Sequence, residues 1–225
     1  MFYNNYPSLF YRFNEEVLKY IGADLFVLHL GCGADESIGL RTRARTTIGI
    51  DLDKWILQNS DINFGLIGDV AHLPFADGSF DVVIARWVLE HLTQPDLAFK
   101  EAGRVLRPRG YFLVITPNLW HYAGAIIRMT PQRIQRWFVK SLLRGNPGEV
   151  FPTYYRANST RQIKHLMNIS GLVEERIEML EATPTLLSFS PITYLAGIAY
   201  ERMVNRFEFL SGFRSAILGI FRKLK

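Results

Sequence analysis

The sequence predicts an α/β fold, a mostly parallel sheet covered by helices on both faces, and three observations carry that reading. Val27-Leu28-His29-Leu30-Gly31-Cys32-Gly33-Ala34-Asp35 runs an apolar strand directly into a glycine-rich turn and a predicted helix. Such a turn lets backbone approach a ligand, because glycine carries no Cβ. A second apolar run, Thr46–Ile50, ends in Asp51 and so offers a carboxylate at the next strand tip, where ribose hydroxyls bind in nucleotide folds. Beyond it, apolar runs continue to alternate with short helical or polar segments, the pattern of a parallel sheet buried on both faces.

Taken in order, the chain opens with an aromatic segment and a predicted helix from Ser8, its N-cap, to Tyr20, closed by Gly22. Strands are predicted at Phe26–Leu30, Thr46–Ile50, Asn63–Ile67 and Phe80–Ala85. Asp81-Val82-Val83-Ile84-Ala85 is apolar without alternation, as a central strand should be. Pro95–Leu106 has helical spacing and is stopped by Arg107-Pro108-Arg109-Gly110; Tyr111–Thr116 is the fifth strand. Residues 117–157 break the rhythm with a basic amphipathic helix, about Pro131 to Leu143, and a Gly145-Asn146-Pro147-Gly148 turn. A helix capped by Asn158 or Ser159 reaches Ser170, Leu172–Leu180 is a strand, Ile192–Phe209 a helix, and Arg214–Phe221 a closing strand.

The 225 residues are enough for one domain with a real core, and the reading is a single unit, 1–225. Within it stand an N-terminal helical segment (1–25), a lid insertion (117–157) and a helix inserted before the last strand (191–210). A hydrophobic fraction of 48% and a charged fraction of 21% fit a soluble globular protein. Cys32 is the only cysteine, which excludes an internal disulfide and a cysteine-rich zinc cage and points to a reducing, cytoplasmic setting. Glu15 and Glu16 arrive before any apolar run of signal length. The uncharged runs Gly110–Ile127 and Ala182–Tyr200 are interrupted by proline and polar residues and read poorly as membrane spans. Charge is uneven. Residues 1–127 hold 11 Lys/Arg against 14 Asp/Glu, a balance of −3, whereas 128–225 hold 15 against 7, a balance of +8. The basic half suits phosphate, an acidic glycan, nucleic acid or a membrane surface, or is a solvated face.

Four landmarks stand in order: the turn at Gly31–Gly33, Asp51 ending the second strand, Gly68-Asp69-Val70 after the third, and Phe80-Asp81-Val82-Val83 opening the fourth. Leu106-Arg107-Pro108-Arg109-Gly110 before the fifth strand is a further one. With these the chain resembles the class I S-adenosylmethionine-dependent methyltransferases, especially the small-molecule group, over about Phe26 to Asn118. The resemblance implies a Rossmann-like seven-stranded, mostly parallel sheet with an antiparallel last strand. It implies S-adenosyl-L-methionine as cofactor, held by Gly31, Cys32, Gly33, Asp35, Asp51, Leu52, Asp69, Val70 and Arg86. Gly31 and Gly33 would face the methionine part, Asp51 the ribose hydroxyls, Leu52 and Val70 the adenine, Asp69 its amino group, and Arg86 the methionine or substrate end. Two positions depart from the family pattern. His29 stands where an acidic residue commonly orients the cofactor's amino group, and Asp35 replaces the third glycine; a carboxylate at Asp35 is the expected substitute.

A dinucleotide dehydrogenase shares the glycine turn and an acid about 20 positions on. The full glycine pattern fails at Glu36, however, and an anionic pyrophosphate is repelled by Asp35 and Glu36. A sulfonium carries no phosphate and tolerates acids there. Methyl transfer from it is an in-line displacement needing alignment and a deprotonated nucleophile. Among five histidines, His91 in Leu89-Glu90-His91-Leu92 and His121 after the fifth strand are the candidate bases. Trp87, Trp120, Tyr154, Tyr155 and Arg156 are candidate substrate contacts. Glu90-His91 is similar to the end of a metal-binding Glu-x-x-Glu-His motif, but Trp87 takes the first glutamate position, so no metal is expected.

The expected activity is O-methylation of a small-molecule or saccharide-type acceptor, with RNA or protein methylation and a non-catalytic cofactor-binding module as alternatives. Arg86-Trp87-Val88 is unlike the Asn-Pro-Pro-Tyr loop of base-amino methylases, which makes nucleic acid the weaker partner. The lid places Arg128, Arg133, Arg136, Lys140 and Arg144 beside Trp137 and Phe138, a mix that suits an acidic group against an apolar wall. On the Ile192–Phe209 helix, Tyr194, Leu195, Ile198, Ala199 and Met203 form one stripe near Arg202 and Arg206. Three uses remain open for it: peripheral contact with a membrane or lipid-linked substrate, packing against the fold, or pairing in a homodimer.

Overall fold

The computed structural model describes residues 8–34, 38–124, 130, 151–184 and 187–225. Seven strands form one sheet: β1 (Phe26–Leu30), β2 (Thr46–Asp51), β3 (Phe64–Ile67), β4 (Phe80–Arg86), β5 (Leu106–Pro117), β6 (Leu172–Leu180) and β7 (Ala216–Lys223). Their spatial order is β3-β2-β1-β4-β5-β7-β6. β1 to β5 pair in parallel, and β7 runs antiparallel between β5 and β6. β6 is therefore parallel to β5, and the ends of β1 to β6 meet the start of β7 at one carboxyl edge. That edge, where order reverses at β1 and β4, is where an open α/β sheet binds its ligand.

Alternation on each strand divides two cores. Leu28, Leu30, Val83, Val114 and Phe221 face α2 (Pro95–Val105) and α3 (Thr160–Ile169), which contribute Phe99, Ala102, Ile163 and Met167. Val27, Val82, Ile84, Leu113 and Leu218 face α1 (Leu9–Leu18), which contributes Phe13 and Val17. Helices therefore cover both faces, and α1 begins at its expected cap, with Ser8 Oγ accepting from the Tyr11 N–H at 3.1 Å. α4 (Pro191–Arg206) and a 3-10 turn at Glu208–Phe213 fill the connection from β6 to β7. Both ends of that connection lie at the carboxyl edge, so α4 lies there too.

Three expectations change. Among the described residues, the helix expected after the glycine turn is only a 3-10 turn, Leu40–Thr42, entered through Gly39 at φ +79°. Buried Asp61 accepts the Gly39 N–H at 3.0 Å and fixes that turn. Arg107-Pro108-Arg109-Gly110 does not separate helix from strand, because β5 already begins at Leu106. The segment bulges out between the Phe80–Leu106 and Val82–Tyr111 pairs, held by the Arg107 guanidinium on the Asp81 carboxylate at 2.7 and 2.8 Å. The late helix ends at Arg206 and the last strand begins at Ala216, with the 3-10 turn between. Most of the expected lid, including its basic helix, lies outside the described residues, as does Asp35.

Candidate active site

The tip of β1 passes into Gly31 and Gly33, both with positive φ (+59° and +51°). A Cβ on Gly31 would stand 2.4 Å from Val88 Cγ2, so no side chain fits there. The Gly31 N–H donates to the Ile50 carbonyl at 2.7 Å, locking the turn against β2. Asp51 closes β2. Its Oδ2 accepts the Gly33 N–H at 2.8 Å and its Oδ1 the Asp53 N–H at 2.9 Å. Each oxygen retains a second lone pair for a ligand hydroxyl. The Gly68 N–H donates to the Asp51 carbonyl at 2.9 Å, tying the next loop to the same tip. There Asp69 Oδ1 accepts the Ala71 N–H at 2.9 Å, while the side chain stays half exposed, with Oδ2 3.7 Å from His72 Nδ1. Leu52, which follows Asp51, is 75% exposed, and Val70 packs at the rim of the core.

Cys32 and Arg86 sit differently from what their positions promise. The Cys32 side chain packs with Ile56 and Ile62, and burial pushes its thiol up to about 12. Arg86 ends β4 but turns under α1, where it donates to Asn14 Oδ1 at 2.8 Å and lies over the Phe10 ring. His29 lies in the core on the α1 side, where burial and nearby Arg86 push it down to about 3, so it stays neutral.

Past β4 the chain carries Trp87 at φ +56°, a left-handed conformation costly for an aromatic residue, of order 1–3 kcal/mol. It leads into a short 3-10 turn, Leu89–His91. His91 Nδ1 lies 2.8 Å from the Pro152 carbonyl. A carbonyl only accepts, so Nδ1 carries the proton and Nε2 keeps its lone pair. The ring is one-third exposed, and Nε2 stands 4.0 Å from Glu90 Oε1. Glu90 is buried, which raises its pKa above the usual carboxylate range, and its Oε2 accepts from Thr116 Oγ1 at 3.2 Å. Asn158 Nδ2 donates to the same Thr116 oxygen at 2.7 Å. The Glu90 carbonyl accepts the Tyr154 N–H at 2.7 Å, drawing the second chain segment over the turn. Tyr155, at φ +53°, is buried near Glu90, and burial pushes its hydroxyl up to about 12.

His121 is set up in the opposite sense. Its Nδ1 accepts the Ala123 N–H at 3.2 Å, so the proton sits on Nε2, 3.7 Å from Glu181 Oε1. Burial pushes His121 down to about 4 and Glu181 up to about 7. Tyr122 and Tyr200 pack around the ring, centroids 4.0 and 5.5 Å away. Of the remaining candidates, Trp120 and Tyr154 are exposed, and Arg156 bends back to the Thr93 carbonyl over the Tyr154 ring. The sequence reading missed Glu181 and the Thr116–Asn158 support of Glu90. Glu181 is 60 residues from His121 and Asn158 is 42 from Thr116, separations no motif spacing reveals. A groove of about 490 Å³ lined by Lys19, Tyr20, Asp81, Arg109 and Tyr111 opens at the opposite, amino edge, apart from this chemistry. Among the described residues no group of three His, Cys, Asp or Glu could hold a metal ion.

A Cβ-free turn, two tip carboxylates with lone pairs to spare and an open apolar side chain fit an adenosyl group and a cationic sulfonium. The sheet order is β3-β2-β1-β4-β5-β7-β6, and residues 28–114 match the family model described as a methyltransferase domain. Among similar proteins, a probable S-adenosylmethionine-dependent methyltransferase of Mycolicibacterium smegmatis is 39% identical over 97 residues, 41% of this chain and 38% of that protein. The chain spans about a third to a half of the length of the first curated relatives it matches. The YcgJ protein of Bacillus subtilis superimposes with a TM-score of 0.60 at 17% identity, over 95% of this chain and 99% of that one. Geranyl diphosphate C-methyltransferase of Streptomyces coelicolor, solved with Mg2+, geranyl diphosphate and S-adenosyl-L-homocysteine, gives 0.59 at 17% identity, over 94% and 77%. The likeness to both structures is one of fold.

Proposed function

We propose that this chain methylates a hydroxyl of a small-molecule or saccharide-type acceptor, using S-adenosyl-L-methionine. The observation that carries the reading is a convergence at one sheet edge. The Gly31–Gly33 turn, Asp51 and Asp69 stand there together with His91, an imidazole whose Nε2 lone pair is uncommitted. When bound, the cofactor supplies a methyl carbon whose bond to sulfur breaks with the electron pair kept on sulfur.

The chain's own residues do the rest. Asp51 binds the ribose hydroxyls through the lone pairs left by Gly33 and Asp53, and Asp69 takes the adenine amino group beside Leu52. His91 Nε2 removes the acceptor's hydroxyl proton as the new carbon–oxygen bond forms, and the Pro152 carbonyl holds the ring in the tautomer that allows it. The imidazolium that results lies next to Glu90, which a carboxylate there stabilises. His121 holds its proton on Nε2, which is buried 3.7 Å from Glu181 Oε1, and so offers no lone pair to act as a base. Tyr154 is exposed beside the Leu89–His91 turn, whereas Trp87 packs against Phe10 on the α1 side.

Calorimetry with S-adenosylmethionine and its demethylated product tests the cofactor half, and radiolabelled methyl transfer to a panel of hydroxylated acceptors tests the rest. The expected result is saturable binding of both, with transfer slowed about a hundredfold or more by His91→Gln. Absence of saturable binding by the folded chain overturns the reading.

A further inference from the structure

The connection from β6 to β7 carries a ridge that the methyl-transfer chemistry does not use. On α4, Ile192, Leu195 and Met203 are exposed, at spacings that place them along one side of the helix; Ile192 is 80% exposed. The ridge continues into the following turn with exposed Phe207, Phe209 and Phe213, of which Phe209 is 81% exposed. The opposite side of α4, with Gly197, Ile198, Glu201 and Val204, is buried. A Cβ on Gly197 would lie 2.5 Å from the Pro184 Cβ, so the helix presses closely on the loop beneath it. Tyr200 donates to the Phe213 carbonyl at 2.7 Å and Arg214 Nε to the Val204 carbonyl at 3.2 Å, fixing helix and turn as one piece. The outward direction of the apolar side is thus set by packing on the other side.

Contiguous exposed apolar surface of this kind marks an interaction site. Charge decides what it meets. Arg202 and Arg206 are exposed at the C-terminal end of the same helix. Of the three carboxylates in this connection, Glu181 and Glu201 are buried and Glu208 is paired with Arg214 at 2.9 Å. Residues 128–225 as a whole carry +8. A two-fold pairing of this face with a second copy would bring like charges together. An apolar ridge edged by arginines matches the acyl boundary and headgroups of an anionic membrane. No helix among the described residues is long and apolar enough to cross one. We infer that the outer side of α4 and the turn after it dock the protein onto an anionic lipid bilayer surface. Tyr200 on α4 packs on His121 and Tyr122, so docking turns the end of β5, on the carboxyl edge, toward the headgroup layer.

The test is flotation of the full chain with phosphatidylcholine vesicles, with and without phosphatidylglycerol. Wild type is expected to float with the anionic vesicles and to be released by salt. Ile192→Glu combined with Phe209→Glu, and separately Arg202→Glu combined with Arg206→Glu, should each weaken vesicle binding about tenfold or more. These side chains are exposed, so thermal unfolding and S-adenosylmethionine binding should stay at wild-type values in the same samples. That second readout separates failure of docking from failure of the methyltransferase reading. The inference is overturned if wild type stays with the unbound protein, or if the variants float equally well. It is also overturned if light scattering shows a dimer that Ile192→Glu with Phe209→Glu splits, since a second copy would then cover the face.

Discussion

Asp51 joins the sequence and the site through two backbone N–H groups. They orient its carboxylate without exhausting its lone pairs, which leaves each oxygen able to accept from a ligand hydroxyl. Asp51→Ala should weaken S-adenosylmethionine binding about 10- to 100-fold, the loss of hydrogen bonds to a charged acceptor worth about 1.5–3 kcal/mol, measured by calorimetry. His91→Gln keeps the shape of the turn but offers no basic lone pair. Its kcat should fall about 10²- to 10⁴-fold while cofactor affinity holds, and an unchanged kcat would move the proton acceptor elsewhere. The histidines also show what a motif leaves open. His91 and His121 are both candidates by position; the Pro152 carbonyl on one and the Ala123 N–H on the other assign opposite tautomers, leaving a lone pair on Nε2 of His91 and none on that of His121.

At the scale of elements, the turn after β1 rests on conformations only glycine adopts freely. Gly31→Ala meets Val88 and a positive φ together, and should lower stability by about 1–3 kcal/mol, visible as a drop in Tm. β5 and β6 are joined through His121 and Glu181, whose titrations pull stability in opposite directions. The Glu181 carboxyl, ordinarily at 4.5, is pushed by burial up to about 7 in the fold. Its contribution is therefore full below pH 4.5 and is lost as pH rises through 7. His121, ordinarily at 6.5, is held down at about 4, so its contribution is lost as pH falls from 6.5 through 4. In wild type the two slopes offset each other over the shared window. Thermal unfolding of Glu181→Gln should show a variant more stable than wild type above pH 7, by about 2 kcal/mol, with no advantage below pH 4.5. Equal pH profiles for the two proteins would remove the buried carboxyl from this account.

For the whole molecule, the succession of strands and the landmarks at their tips were legible because each is local. An apolar run, a glycine pair and an acid at a strand end are written within a few neighbouring residues. The turn Leu40–Thr42 and the bulge before Tyr111 escaped the pattern because distant partners fix them, Asp61 and Asp81. The orientation of α4 escaped for a related reason. Its sequence stripe, Tyr194 to Met203, mixes buried Ile198 with exposed Leu195 and Met203, and only the packing of Gly197 on Pro184 decides which side turns outward. What the sequence alone determined is the sheet's local grammar, with its glycine turn and strand-tip acids, since both depend on adjacent backbone. What only the tertiary structure decided is the surroundings of the two histidines: which one keeps a lone pair on Nε2, that Glu181 meets His121, and that Glu90 is buried beneath His91. Those assignments depend on desolvation and on hydrogen bonds between groups far apart in the chain, which exist only once the sheet has brought them together.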